Sequence, residues 1–175
     1  SKWYEKNGFA DEAIAHALRA GDFERAIYLI EQHADTIWAY GEYNKLRRWL
    51  LGLPDELVLS RPQLCIFQAW ELFASGQLDA AERFLQAAER AHDPNTDQTS
   101  ETGSQSQDQP SGASKLRVRG RAAAIQAWMD AYRRHNVAGL IQHLRQALEY
   151  LPDQDLHWRG AVATTLGGGV ATRYR

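Results

Sequence analysis

The sequence predicts an all-α fold in which antiparallel helix hairpins stack as a right-handed solenoid. Apolar residues recur at helical spacing along most of the chain. Single glycines at Gly21, Gly41 and Gly76 interrupt this spacing, as expected where one helix ends and the next begins. Small residues such as Ala81 stand where the two helices of a hairpin would have to approach each other closely.

The stretch from Leu64 to Ala91 is the clearest hairpin, with its turn at Gly76. Its small or turn-forming residues fall at offsets 0, 7, 12 and 19, and they are Ala69, Gly76, Ala81 and Ala88. A tetratricopeptide-like hairpin places a small contact, a turn, a close helix crossing and another small contact at these positions. Ala81 is expected to let the second helix approach the first. Residues without reactive groups dominate the stretch, which indicates a surface-forming unit.

Residues 1–92 are predicted to consist of such helical repeats. Tyr4, Gly8 and Ala13 have the same mutual offsets as Leu72, Gly76 and Ala81, which predicts a turn at Gly8. The segment GDFERAI, which begins at Gly21, predicts a helix end with positive φ, followed by an acid at the next helix N-terminus. That next helix should run to about Ala39 and bury one face, formed by Phe23, Ala26, Ile27, Ile30, Ala34 and Ile37.

Gly41 repeats the turn, and Gly76 follows it after 35 residues, close to the period of about 34 residues in tetratricopeptide units. Between these repeats, residues 52–61 form a bridge. Pro54 is predicted at the N1 position of a short helix there, and Pro62 at the start of the next long helix.

Residues 93–114 are predicted to be a flexible polar insertion, because this stretch contains no large apolar residue that could offset its ordering entropy. Helical periodicity resumes by about Leu116, and residues 115–175 are predicted to hold further repeats, with a turn at Asn136. The chain starts without Met and stops near the position of the next expected turn. We therefore expect a fragment truncated in the middle of a repeat.

The reactive residue types do not form a catalytic or metal-binding pattern. No two histidines have the His-x-x-x-His spacing that places two imidazoles on one helix face. Cys65 is flanked by apolar residues, so we interpret it as a buried thiol and not as a nucleophile. The glycines at 167–169 lack the Lys and Ser or Thr of a phosphate loop, which leaves close helix packing, above all at Gly167, or local helix weakness.

Two other groups of side chains allow a binding role. One is basic and contains Lys115, Arg117, Arg119, Arg121, Arg133 and Arg134. Because neither a helix-turn-helix nor an aromatic sheet accompanies it, we interpret it as a solvated helix start and expect no direct DNA contact. The other is aromatic: Trp128, Tyr132 and Trp158 could meet on adjacent helices and line a groove for an effector or partner, although packing between repeats explains them as well.

Composition fits a cytoplasmic globular protein. Hydrophobic residues make up 44% and charged residues 24% of the 175 positions, and the net charge is −2. The sequence contains neither an apolar run long enough to span a bilayer nor a secretory signal pattern. The single cysteine excludes an intrachain disulfide framework.

Four segments carry a resemblance to a known family: WYEKNG, AGDFERA, RRWLLGLPDELVLSRP and AWELFASGQLDAAE. With them, residues 3–91 closely resemble the helical-repeat region of the large ATP-binding LuxR-type transcriptional regulators, the MalT-like group. Residues 116–173 resemble tetratricopeptide-like repeats more loosely. Residues 93–114 depart from the pattern because they are long and polar.

The resemblance implies a regulatory sensor or coupling segment of a bacterial transcription activator. It implies that ATP binds a nucleotide-binding module elsewhere in the parent protein, and that a separate helix-turn-helix binds DNA. It also implies an effector molecule or regulatory protein, and the other domains of the parent, as partners of this segment. The segment itself is expected to be non-enzymatic and to hold no cofactor. A generic tetratricopeptide adaptor is the alternative, and an enzyme would require an enclosed polar pocket with perturbed carboxylates.

Overall fold

The computed structural model describes residues 2–91, 112–134 and 137–171, and every regular element in these ranges is an α-helix. The elements are α1 (Lys2–Ala20), α2 (Phe23–Ala39), α3 (Tyr43–Leu51), α4 (Asp55–Leu59), α5 (Pro62–Ala74), α6 (Leu78–Arg90), α7 (Gly112–Arg134), α8 (Val137–Tyr150) and α9 (Leu156–Ala171). The chain forms two compact units, Ser1–Leu64 and Cys65–Arg175, which divide within α5. None of the described helices has both the length and the apolar character needed to cross a membrane.

In the first unit, glycines with positive φ end two helices. Gly21 has φ +72° and separates α1 from α2, and Gly41 has φ +73° and separates α2 from α3. Glycine adopts this conformation without the steric cost that a Cβ would bring. The Asp22 side chain accepts a hydrogen bond from the Arg25 backbone N–H at 3.2 Å and so caps α2. Each of α1 and α3 packs against α2.

The predicted turn at Gly8 is wrong, because α1 continues through this position from Lys2 to Ala20. A glycine can occupy a helix interior at a modest cost, so its presence alone does not end a helix.

The predicted apolar face of α2 forms the core of the first unit. Its members Ala26, Ile27, Ile30, Ala34 and Ile37 are all buried. Phe23 lies at the edge of this face and is only half-buried, so its assignment to the core needs correction. The edge position follows from the chain reversal immediately before it, where the Gly21 turn leaves the first residue of α2 next to solvent.

The bridge between the repeats contains one short helix, α4, as predicted. Pro54 is its N-cap in extended conformation, one position before the predicted N1 site. Pro62 is the first residue of α5.

In the second unit, Gly76 has φ +78° and separates α5 from α6. Ala81 on α6 is completely buried. Along the chain, α6 packs against α7, α7 against α8 and α8 against α9. At one close approach, a Cβ added to Gly120 of α7 would lie 2.7 Å from Leu151 Cγ and 2.8 Å from its backbone nitrogen. Leu151 therefore leaves room only for a glycine at position 120 of α7.

Two predicted boundaries differ from the structure or lie outside it. Helix α7 begins at Gly112, so residues 112–114 are helical and do not belong to the insertion predicted at 93–114. Residues 93–111 and the predicted turn at Asn136 lie outside the described residues. The glycines at 167–169 fall within α9, and a Cβ added to Gly167 would meet no atom within 4 Å, so close packing does not explain that glycine.

Candidate functional site

Three tryptophans from three helices form an aromatic cluster in the second unit. Trp158 of α9 stacks on Trp128 of α7 with their ring centroids 6.4 Å apart and an interplanar angle of 29°. Trp70 of α5 meets both rings edge-on, at 5.3 Å from Trp128 and 5.7 Å from Trp158. Trp158 is 1% exposed, whereas Trp70 and Trp128 are half-buried. In this cluster, Trp158 on α9 is therefore buried, and its two partners Trp70 and Trp128 are partly accessible to solvent.

The structure brings together two of the three residues predicted to line a groove, Trp128, Tyr132 and Trp158. The structure brings Trp128 and Trp158 together, but the buried ring of Trp158 offers no face to a ligand. Tyr132 lies one turn after Trp128 on α7 and is 68% exposed. Trp128 and Tyr132 thus lie on one face of α7, where Trp128 is half-buried and Tyr132 is exposed.

A buried ion pair lies beside the tryptophans. Arg121 on α7 donates from Nε to Asp155 Oδ2 at 2.7 Å and from Nη2 to Oδ1 at 3.1 Å, and the two residues are 4% and 8% exposed. Its guanidinium also lies 5.7 Å from the ring centroid of Phe67 and 5.6 Å from that of Trp158. The bidentate geometry fixes the turn before α9 to one position along α7.

Sequence reasoning missed this pair, although each residue left a signal. Arg121 stands among Val118, Ala122 and Ile125 at helical spacing, and all three neighbours are buried. Asp155 continues a similar series that includes Leu151, Trp158 and Val162. A charged side chain within a buried apolar helix face requires a partner of opposite charge. The two faces carry one basic and one acidic residue, Arg121 and Asp155, which can satisfy each other.

Arg159 joins α9 to the end of α8. Its Nη1 donates to the backbone carbonyl oxygens of Leu148 at 3.0 Å and Leu151 at 2.6 Å. The last carbonyl groups of a helix lack partners within the helix and attract cations. Arg159 therefore caps α8 from the neighbouring helix.

The basic stretch of α7 is not a patch of free cations. Besides the buried Arg121, Arg119 lies with its guanidinium 4.3 Å from the Tyr150 ring centroid. Arg133 donates to Asp79 and Glu82 of α6, at 2.9 Å in each case. The expectation of a solvated helix start is therefore wrong for Arg121, because packing against α9 and α5 buries it.

Cys65 is buried, and its environment disfavours the thiolate. Burial raises the pKa of the Cys65 thiol from 9.0 to about 12, so the thiol stays protonated at neutral pH. Within the ranges that the structure describes, no three His, Cys, Asp or Glu side chains lie close enough together to hold a metal ion. A shallow depression follows one face of α8, lined by Ala138, Ile141, Gln142, Arg145, Gln146 and Glu149.

In the first unit, Asp11 of α1 is the centre of a polar network with α3. Its carboxylate accepts two hydrogen bonds from Arg48 Nη2, at 2.8 and 2.9 Å, and one from Trp49 Nε1 at 2.7 Å. Burial opposes ionisation of Asp11. The hydrogen bonds from Trp49 and Arg48, together with the charges of Arg48 and Lys45, outweigh burial and lower its pKa below 3.8. The network holds α1 and α3 at a fixed register.

Part of the chain is similar to two much longer proteins. Over 84 residues it is 34% identical to the HTH-type transcriptional regulator MalT of Yersinia enterocolitica, and the alignment covers 48% of this chain and 9% of that protein. Over 96 residues it is 34% identical to the serine/threonine-protein kinase PknK of Mycobacterium tuberculosis, covering 51% of this chain and 9% of the kinase. No family profile and no solved structure matches the chain significantly. About half of this helical chain thus resembles a short stretch of each of these proteins.

Proposed function

We propose that this chain is a non-enzymatic sensor or coupling segment of a bacterial ATP-dependent LuxR-type transcriptional regulator. In this proposal its hairpins belong to a tetratricopeptide-like right-handed superhelix in the cytoplasm, which binds an effector or a regulatory protein. ATP and DNA bind other domains of the parent protein, and occupancy of the superhelix is transmitted to them.

The observation that carries this proposal is the 34% identity to MalT over 84 residues, about half of this chain. The helical turns support the same reading. Gly21, Gly41 and Gly76 each adopt positive φ between consecutive helices, which is the turn chemistry that a helical-repeat segment requires. Helical repeats act chiefly through extended binding surfaces, which agrees with a segment that senses and does not catalyse.

The face of α7 that carries Trp128 and Tyr132 is the best candidate for partner contact. Large aromatic side chains supply much of the binding free energy in protein interfaces. Tyr132 is exposed and lies at the end of α7, whereas the polar contacts of Arg133 with Asp79 and Glu82 hold this end of the helix against α6.

The proposal is tested in the parent regulator by deleting residues 1–175 and measuring effector or partner binding by calorimetry. We expect the affinity to fall at least a hundredfold. In the intact regulator, Tyr132→Ala should weaken binding about tenfold without changing the melting temperature. Tyr28→Ala, at a site in the first unit that is 62% exposed, is the matched control. Full affinity after the deletion would show that the segment is only a spacer.

The second candidate is a tetratricopeptide-like adaptor that binds proteins in a different assembly. It is favoured by the similarity to PknK, a protein named as a kinase and not as a transcriptional regulator. The sequence that flanks this chain in its gene separates the two candidates. A nucleotide-binding G-x-x-x-x-G-K-[ST] loop upstream and a helix-turn-helix tail downstream would support the regulator, and a kinase domain or unrelated modules would support the adaptor.

A further inference from the structure

Few of the α9 side chains that the structure describes are buried against the rest of the second unit. Of the α9 residues whose side chains are described, Trp158 and Val162 are buried, and none after Val162 is. Asp155 precedes the helix and pairs with Arg121. Through these contacts α9 covers one side of Trp70 and Trp128, which remain half-buried beneath the Trp158 ring.

The sequence of α9 weakens its own helix without a packing reason. A Cβ added to Gly160 or Gly167 would meet no atom within 4 Å, in contrast to Gly120, where Leu151 leaves no room. Each such glycine lowers the helix equilibrium about fivefold relative to alanine. The hydroxyls of Thr164 and Thr165 donate to carbonyl oxygens four residues earlier, a bond that tends to bend helices and destabilise them slightly.

The ion pair between Arg121 and Asp155 determines the position at which α9 docks, but it contributes little to the free energy of docking. Both charges lose their hydration when the pair is buried, and this cost cancels much of their attraction. When α9 leaves, both charges return to water, so opening recovers that cost. Both hydrogen bonds of the bidentate pair can nevertheless form in only one docked position of α9.

We propose that α9 is a lid that opens as a unit while α5, α6, α7 and α8 stay folded. Opening carries Trp158 and Asp155 away from α7 and uncovers the sides of Trp70 and Trp128 that the lid covers. Arg159, which caps α8, and the short turn at Pro152 keep the lid tethered to the end of α8. The lid does not depend on the proposed function of the segment, because it follows from the contacts within this unit.

Native-state hydrogen exchange read by mass spectrometry tests the lid on the unmodified chain. Peptides from residues 156–167 should exchange at least tenfold faster than peptides from the centre of α7, by an opening that urea accelerates less steeply than it accelerates exchange in α7, because the lid exposes less surface than unfolding of the whole unit. Equal protection of α9 and α7, with the same dependence on urea, would mean that α9 opens only when the whole unit unfolds. That result would overturn the proposal.

Two variants, one double and one single, should move the exchange of α9 in opposite directions. The double variant Gly160→Ala and Gly167→Ala should slow it by about tenfold or more, because each alanine strengthens the closed helix. Asp155→Asn should accelerate it on the order of a hundredfold, because Arg121 is left buried without its charge partner. In each case α7 should change much less. Arg133→Ala breaks the two ion pairs with Asp79 and Glu82, far from the lid in sequence, and should leave α9 unchanged. Parallel changes in α7 and α9 in both variants would count against the lid.

Discussion

The carboxylate of Asp11 has the clearest electrostatic role of any single residue in the first unit. Asp11→Asn keeps an oxygen that can accept from Trp49 but removes the charge that Arg48 contacts. Because Arg48 is mostly exposed, solvent screens the pair, and we expect the variant to lose about 1 kcal/mol of unfolding free energy at pH 7. Urea denaturation monitored by tryptophan fluorescence measures this loss.

The same variant predicts a pH dependence. The pKa of Asp11 is lower in the folded chain than its ordinary value of 3.8, so the unfolded chain binds the proton first as the pH falls. The stabilisation is complete above that ordinary value and is lost as the pH falls through the folded-state pKa. The difference between the parent chain and Asp11→Asn should therefore shrink on acidification below pH 3.8. Glu12→Gln, at an exposed neighbour on α1, is the matched control for loss of one negative charge.

Cys65 is expected to be chemically silent until the chain unfolds. Burial both shields its sulfur and raises its pKa to about 12, which makes the reactive thiolate rare at pH 8. Iodoacetamide should label the native thiol at least a hundredfold more slowly than the urea-unfolded one. Since this is the single cysteine of the sequence, mass spectrometry reads the reaction directly. Comparable rates in the two states would show that the thiol is accessible.

At the scale of single residues, the sequence predicted many of the buried side chains, but it did not predict which side chains contact each other. The burial of Cys65 followed from its apolar neighbours. Arg121 and Asp155 each stood visibly on an apolar helix face, yet they lie 34 positions apart. Periodicity identifies the face on which a residue lies, but it contains no information on which face of another helix it meets. For that reason the buried pair and the position of Trp70 beside Trp158 emerged only from the structure.

At the scale of elements, replacing glycine by alanine should have opposite effects on stability in a turn and within a helix. Gly76→Ala should cost about 1 kcal/mol of unfolding free energy or more, because its φ of +78° brings a Cβ close to the backbone. Gly8→Ala lies within α1 and should instead stabilise the chain by up to about 1 kcal/mol. Thermal unfolding followed by circular dichroism measures both. A destabilising Gly8→Ala would support the turn that the sequence predicted there.

The contrast between these two glycines also explains which turns the sequence could predict. At Gly21, Gly41 and Gly76 the glycine is followed by a residue pattern that starts a new helix, such as GDFERAI, and positive φ results. At Gly8 the offsets alone matched. Helix α1 continues there because the cost of one helical glycine is small compared with the packing of a long helix against α2.

At the scale of the whole chain, helix content follows from sequence periodicity, whereas the division into compact units does not. The expected insertion at residues 93–114, which separates two sets of repeats in the prediction, lies mostly outside the described residues, and the compact units divide within α5, at Leu64 and Cys65. This division depends on which helices share contacts, a property of the folded chain that composition does not record. The sequence marked Pro62 as the start of α5 and gave no sign that the helix belongs to both units.

The charge distribution of the chain predicts that it does not bind duplex DNA. Non-specific binding requires several cations that can each release a counterion from the phosphate backbone. The net charge is −2, and three arginines of α7 are engaged, with Arg121 paired to Asp155, Arg133 to Asp79 and Glu82, and Arg119 stacked on Tyr150. At physiological salt we therefore expect a dissociation constant above about 10⁻⁴ M in fluorescence anisotropy.

The double variant Asp79→Asn and Glu82→Gln releases Arg133 and removes two negative charges. Any residual affinity for DNA should therefore be higher in this variant and should fall steeply with added salt. Micromolar binding by the unmodified chain would contradict the assignment of DNA contact to another domain.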